Sequence, residues 1–367
     1  VMNGQMLSEV IQSEPALLAI KNEWQVLSAS VPQSIGFFGG WDFAWPYIHT
    51  TKPQKWFVVT LRDPESKELL AVFPWELIQL NAGDATYRAV QPLGASLVPY
   101  MEFTVSPMRL RAALQVLLNT VLAQQIHIDV VCLWPLHETS RLYSSLVEDL
   151  RGSEVLKIFR YPGNLREIET RSQDYESYCR GKWGTTFANA RYRERRLQKD
   201  GEVCFTLSEP PSLASGIVAD LCAGSGEQFG EEFVYRNKPR WKELVGEMVN
   251  ALLDQGVAQV STLRLNGAII ASGLSFWHKG RRYFYLTHYD RAHAVRSPGK
   301  ILLHRLIQQT FADKGVFCFG AGTHSYKENW APSYGELKAA YIFLNPTARH
   351  ALDGLINQDF ILRLSTV

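Results

Sequence analysis

The stretch RYFYLTHYDRAHAVRSPGKILLHRLIQQTFADKG (Arg281–Gly315) gathers anion-binding chemistry at a helix start. Ser297 stands where an N-cap hydroxyl accepts from a free helix N–H. Pro298 falls at the first helical position, where a missing N–H costs nothing. Leu302, Leu303, Leu306, Ile307 and Phe311 form one apolar face, and Gly315 closes the pattern, so the spacing predicts a helix over Pro298–Lys314. Gly299 and Lys300 then occupy the first turn, where free amides and the positive dipole end favour an anion. Gly299 lets a phosphate approach the backbone, and Arg296 and Lys300 add charge. Helix capping alone accounts for the same residues. Neither GxGxxG nor GxxxxGK[ST] occurs.

These residues belong to a chain of 367 residues, a length that suits about two domains. Hydrophobic residues make up 46% and charged residues 20%, so the chain is expected to fold. Its net charge of +2 demands neither nucleic acid nor membrane as partner. No basic segment leads into an apolar run at the N-terminus, and no apolar run approaches the length of a membrane span. Cys132, Cys179, Cys204, Cys222 and Cys318 are scattered and contain no CxxC. They read as reduced structural thiols of a cytoplasmic protein, with no zinc site. The histidines lack metal spacing; His288 and His293 do not make HExxH.

The elements around the helix follow from turn and period signals. Trp56–Leu77 reads as two strands, and Val260–Tyr289 as three, with turns at Asn266-Gly267 and Lys279-Gly280. The tripeptide Thr-Leu-Arg recurs at Thr60–Arg62 and Thr262–Arg264, an echo that fits a duplicated module. YRAVQPLG and YMEFTV are further short strands, Met108–Gln124 has helical period, and Ile126–Leu136 is a buried strand. Around Tyr161–Thr170 the pattern turns polar and breaks, which sets a boundary. Asp174–Lys199 is helical with an interruption near Gly181 and Gly184, and Gly201 stops it. Lys238–Gln255 is a helix closed by Gly256, and an amphipathic helix after Pro346 packs on the outside.

FFGGWDFAW, FANARYRERRLQKDGEVCFTL, LRLNGAIIASGLSFWHKGRRYFYLTHYD, SPGKILLHRLIQQ and FGAGTHSYKENWAP occur in this order. Together they resemble the GNAT acetyltransferase superfamily, in its CelD-like or acetyltransferase-6 branch, related to the Fem-type aminoacyl transferases. The resemblance covers residues 35–345 and is most specific in the second half. Two departures stand out: Cys318 replaces a frequent Asp, and Thr323 and His324 replace acidic residues. The resemblance implies an α/β (α+β) chain of two tandem GNAT-like modules, each a mixed twisted sheet flanked by helices. The modules would be residues 1–165 and 166–345, with a helical tail at 346–367. It also implies an acyl-CoA donor, acetyl-CoA or longer, and no metal. The donor's pantetheine would lie along the strand Tyr283–His288, which includes Thr287. Its diphosphate would sit on the loop Arg291–Lys300, with Arg296, Ser297, Pro298, Gly299 and Lys300 as binding residues and Lys327 as a further one.

Acyl transfer from a thioester to an amine needs a base for the ammonium proton, donors for the tetrahedral oxyanion and an acid for the leaving thiolate. No GxSxG elbow and no Cys–His pairing points to a covalent intermediate. By its place after the strand that follows the diphosphate helix, Tyr326 is the acid that the resemblance implies; a packed tyrosine is the bland reading. His288, Asp290 and His324 are the candidates for the base, and His288 has the side chain that titrates near neutrality. A histidine satisfied by backbone groups competes with that role. Lys327 reads equally as a solvated lysine. Glu102, Trp41 and Tyr235 are candidate acceptor contacts, against a surface carboxylate and aromatic packing. In ARYRERRLQKDG, Arg191, Arg195 and Lys199 recur every four residues on one helix face. They suit tRNA, the adenosine phosphate of CoA or an anionic glycan, or else a solvated face; no RNA-binding module signature accompanies them.

The expected function is N-acyl transfer from acyl-CoA to an amine of a small metabolite, amino sugar or saccharide precursor, by direct attack in a cleft between the modules. The alternatives are a Fem-like, aminoacyl-tRNA-dependent amide-forming transferase and a non-catalytic binding module of the same fold. The acceptor, the acyl length and the oligomeric state are left open by the sequence.

Overall fold

A computed structural model describes residues 6–31, 37–150, 152–229, 240–321 and 325–356. The chain divides into two compact units, Val1–Gly163 with Gly335–Val367, and Asn164–Tyr334.

In the first unit, β1 (Leu7–Ile11) is followed by α1 (Glu14–Ala19), α2 (Lys21–Ser30) and α3 (Trp41–Thr51). Then come β2 (Trp56–Arg62), β3 (Leu69–Ala82), β4 (Ala85–Pro92) and the two-residue β5 (Thr104–Val105). The helix α4 (Leu110–Val116) continues in wider turns to Gln125, and β6 (Val130–His137) and α5 (Arg141–Leu150) follow. Strands β1 to β4 pair antiparallel in sequence order, while β4 and β6 are parallel. Parallel strands need a crossover, and α4 supplies it. All eight residues of β6 are buried, so it reads as a continuous apolar run rather than an alternation.

Strand β7 (Leu156–Glu169) carries the chain into the second unit, where α6 (Tyr175–Arg180), α7 (Gly184–Leu197), β8 (Val203–Thr206), α8 (Pro211–Phe229) and α9 (Trp241–Leu252) follow. After them come β9 (Ala258–Leu265), β10 (Ala268–His278), β11 (Arg281–Tyr289), α10 (Pro298–Ala312) and β12 (Val316–Cys318). Strands β8 to β11 are again antiparallel in order, and β12 joins β11 in parallel after α10. The two units therefore repeat one connectivity. The Thr-Leu-Arg echo falls on the second antiparallel strand of each, β2 and β9. Strand β13 (Ser333–Phe343) returns the chain to the first unit, where it pairs with β6 and leads to α11 (Pro346–Leu352).

One expectation changes. The polar stretch Tyr161–Thr170 lies largely within β7, whose side chains are mostly half-buried, so an apolar alternation never develops. The helix after Pro346 is amphipathic: Ala348 and Leu352 are buried in a cluster with Trp134 and Tyr341, while Pro346, Thr347 and His350 are exposed. Helix α8 is not legible from period alone, because Gly216, Gly224 and several Ser and Ala residues blur its apolar face. Among the described residues, no helix is long and apolar enough to cross a membrane, and no group of three His, Cys, Asp or Glu side chains is gathered for a metal.

Candidate active site

The site is built on β11, α10 and β12. Helix α10 buries Leu302, Leu303, Leu306, Ile307 and Phe311, the predicted face, each worth about 1.5–3 kcal/mol of burial. Pro298 opens it as expected. Ser297 does not cap it with its hydroxyl. Its backbone is left-handed (φ 52°, ψ 55°) and its carbonyl accepts from the N–H of Lys300 and Ile301. The helix stops at Ala312 because Lys314 turns left-handed (φ 51°). Gly315 serves a different purpose: a β-carbon there would lie 2.6 Å from the Trp277 ring and 2.7 Å from the Gly280 carbonyl oxygen.

Strand β12 pairs with β11 at three positions only, ending at Tyr283↔Cys318. Beyond that point the Phe319 N–H turns away to the Arg166 carbonyl of β7 (2.9 Å), and Gly320 takes φ 70°. Among the described residues the β11–β12 ladder thus ends there, while β11 itself runs on to Tyr289. On its other side the register with β10 slips at Leu274/Ser275, leaving Tyr285 as the extra residue of a bulge. A bulge bends a strand and increases its twist, which widens the parting from β12. At the end of the strand lies the mouth of α10. The Gly299 amide has no protein acceptor among the described residues, and Lys300 is exposed. The bare α-carbon of Gly299 faces Tyr289, whose ring would be 3.3 Å from an added β-carbon.

The other candidate residues separate clearly. Arg296 donates twice to Asp200 (2.5 and 2.9 Å), so its charge at the mouth is shared with a carboxylate. Asp290 is exposed and accepts from the Ala292 N–H (2.9 Å), capping the short helical turn Arg291–Arg296. That places it in a structural turn instead of a base position. Thr287 is tied on both sides: its hydroxyl donates to the Ser272 carbonyl (3.3 Å) and its carbonyl accepts from Ser225 (3.0 Å). His288, on the same strand, has a buried Nδ1 with no hydrogen-bond partner among the described residues. Its ring lies on Gly224 of α8, where any β-carbon would overlap it. Sequence reasoning misses Gly224, since a lone glycine in a small-residue helix carries no signal of what it touches.

Tyr326 follows β12 and packs on the core cluster of the second unit, and burial pushes its phenol well above the ordinary range. Lys327 is not solvated. It is 6% exposed, and its ammonium donates to the Ala321 carbonyl (2.6 Å). Burial lowers it to about 8, against the raising effect of Cys318. The lysine therefore pins the turn that leads β12 away from β11, and its donor capacity is directed at protein. Trp41 is buried in the first unit, stacked on Trp45 (5.6 Å) and edge-on to Trp24 (5.8 Å), which makes it packing rather than an acceptor contact. Glu102 is half-buried beside Gly39, whose α-carbon lies against the Glu102 carbonyl. His324 and Tyr235 lie outside the described residues.

Residues 185–328, all within the second unit, match the family profile described as acetyltransferase (GNAT) domain. This unit is a GNAT acyltransferase domain. No curated protein matches the sequence. The fold of the whole chain, GNAT domain included, is similar to that of FemX, at 11% identity and a TM-score of 0.58, over 93% of this chain and 99% of that one. It is also similar to the C-terminal domain of a putative lysylphosphatidylglycerol synthetase from Agrobacterium fabrum (13%, TM-score 0.56, 92% and 95%). A conserved protein of unknown function from Bacteroides thetaiotaomicron gives 13%, 0.55, 89% and 97%. At such identities the likeness shows a shared fold.

Proposed function

We propose that the GNAT domain moves an acyl group from acyl-CoA to an amine of a small metabolite, amino sugar or saccharide precursor, by direct attack. The observation that supports this most is that the β11–β12 ladder ends at Tyr283↔Cys318, on the strand that leads to the open amide of Gly299. A pantetheine arm is an extended chain of amides, which suits the place where two parallel strands part. The helix mouth and Lys300 take the diphosphate. The amine nitrogen attacks the thioester carbon, a C–N bond forms and the C–S bond breaks. His288, near the end of β11, takes the ammonium proton. Tyr326, kept protonated by burial, gives its proton to the thiolate.

Calorimetric titration with acetyl-CoA and longer acyl-CoAs tests this reading. Binding in the micromolar range is expected; no binding of any of them sinks it. The second reading is a Fem-like transfer from aminoacyl-tRNA, drawn from the likeness to FemX along the whole chain. It requires charged tRNA to bind and acyl-CoA not to.

A further inference from the structure

Tyr326 lies in the short helical turn Ser325–Asn329. A turn of five residues does not hold its own shape, because too few backbone bonds offset the ordering of its chain. Its place is fixed from outside. The Trp183 indole donates to the Glu328 carbonyl (3.1 Å), the Tyr178 hydroxyl to the Trp330 carbonyl (2.8 Å) and the Lys327 ammonium to the Ala321 carbonyl (2.6 Å). Each of these side chains secures one point. Arg166 of β7, to which the chemistry above gives no part, secures three. Its Nη1 donates to the Ala331 carbonyl (3.0 Å) and its Nη2 to Glu328 Oε1 (2.6 Å), so the guanidinium spans the end of the turn. Its own carbonyl accepts from the Phe319 N–H (2.9 Å), the bond that leads the chain off β12. One residue thus engages the chain on both sides of Tyr326. The Arg166 side chain is 14% exposed and that of Glu328 63%, so the ion pair at the outer end adds little and geometry is what the fork supplies.

We infer that Arg166 is a positioning residue for the transfer: it sets where the Tyr326 hydroxyl stands relative to the leaving sulfur. The inference rests on the reading in which Tyr326 gives its proton to the thiolate, and deepens it. The proton must arrive as the C–S bond breaks, and a donor has to stand within about 3 Å of the atom it serves. A displacement of about 1 Å at such a group lowers the rate by up to about 100-fold while the donor substrate still binds. Only a fork meets both acceptors at once. A lysine at 166 is a point charge that serves Ala331 or Glu328, not the two together.

The test is a double-variant cycle on the full chain, read as thiol release from acetyl-CoA with D-glucosamine or water as acceptor. Arg166→Met is expected to lower kcat about tenfold and to leave KM for acetyl-CoA within about twofold. In the Tyr326→Phe background the same change should lower kcat by less than about twofold, since the group it positions has lost its proton. Arg166→Lys should recover about threefold of the loss. Where Arg166→Met does not fold, Glu328→Ala removes only the exposed arm of the fork and should lower kcat about threefold, again only with Tyr326 present. Losses that multiply in the double variant, or a rise in KM with kcat unchanged, overturn the inference while the acyl-transfer reading stands. Wild-type turnover by Tyr326→Phe removes the acid and the inference with it. No thiol release by the wild type removes the acyl-transfer reading as well.

Discussion

The imidazole of His288 rests on the α-carbon of Gly224: a β-carbon at that position would overlap the ring. Helix α8 and strand β11 are fastened at the same level by the Ser225 hydroxyl, which donates to the Thr287 carbonyl (3.0 Å). Glycine inside a helix costs about 1 kcal/mol relative to alanine, so packing against the histidine is what its presence accommodates. Gly224→Ala should leave acyl-CoA affinity within about twofold and lower kcat by about tenfold or more, because the base is displaced while the donor site is not. Steady-state kinetics alongside calorimetry separate the two. An unchanged kcat removes His288 from the reaction.

Tyr326 offers a hydroxyl that burial keeps protonated at neutral pH. Tyr326→Phe deletes the proton and retains the ring that packs on the core cluster. A loss of about 100-fold in kcat is expected, within the usual range for general acids, with little change in Kd. A variant that turns over at the wild-type rate assigns Tyr326 to packing alone.

Lys327 gives a stability prediction in alkali. Its folded pKa is lowered to about 8 by burial, below the ordinary 10.5. Between these values the unfolded chain holds the proton and the folded chain does not, so stability rises with pH across that window. The gain is up to ~3 kcal/mol, from the size of the shift. Urea unfolding of wild type and Lys327→Met between pH 8 and 10.5 should show a steeper rise in the wild type. Parallel curves exclude the linkage.

His304 gives the acid counterpart. It is 2% exposed, its Nε2 meets the Tyr175 hydroxyl, and its Nδ1 is 3.9 Å from Glu194. Burial, then Arg305 and Arg191, lower it to about 4. Below the ordinary 6.5 the unfolded chain takes the proton first, so stability falls as pH drops from 6.5 to 4, by up to ~3 kcal/mol. His304→Gln should flatten that slope in urea titrations while lowering stability at pH 7. A slope unchanged in the variant assigns the acid loss to carboxylates.

Much of the second unit is legible in the amino-acid sequence. Asn266-Gly267 and Lys279-Gly280 mark two hairpins, and strands β9, β10 and β11 stand where those turns put them. Pro298 and the apolar period locate α10, because both are set by neighbours one helical turn apart. The failures share a cause. By residue type Ser297 is a hydroxyl cap, but its left-handed backbone directs the carbonyl to that task. By type Lys327 is a solvated cation; burial decides otherwise.

The amino-acid sequence by itself determined the hairpins of β9, β10 and β11, the helix mouth at Pro298–Lys300 and the motifs of an acyltransferase, since each depends on residues within a few positions of one another. The tertiary structure alone decided that β11 and β12 part after Tyr283↔Cys318, that Asp200 occupies Arg296 and that Gly224 seats His288. Those relationships join residues far apart in the chain, such as Ser225 with Thr287 (62 positions) and Asp200 with Arg296 (96 positions). Local preference carries no record of such pairings; only packing of the sheet against its helices brings them together.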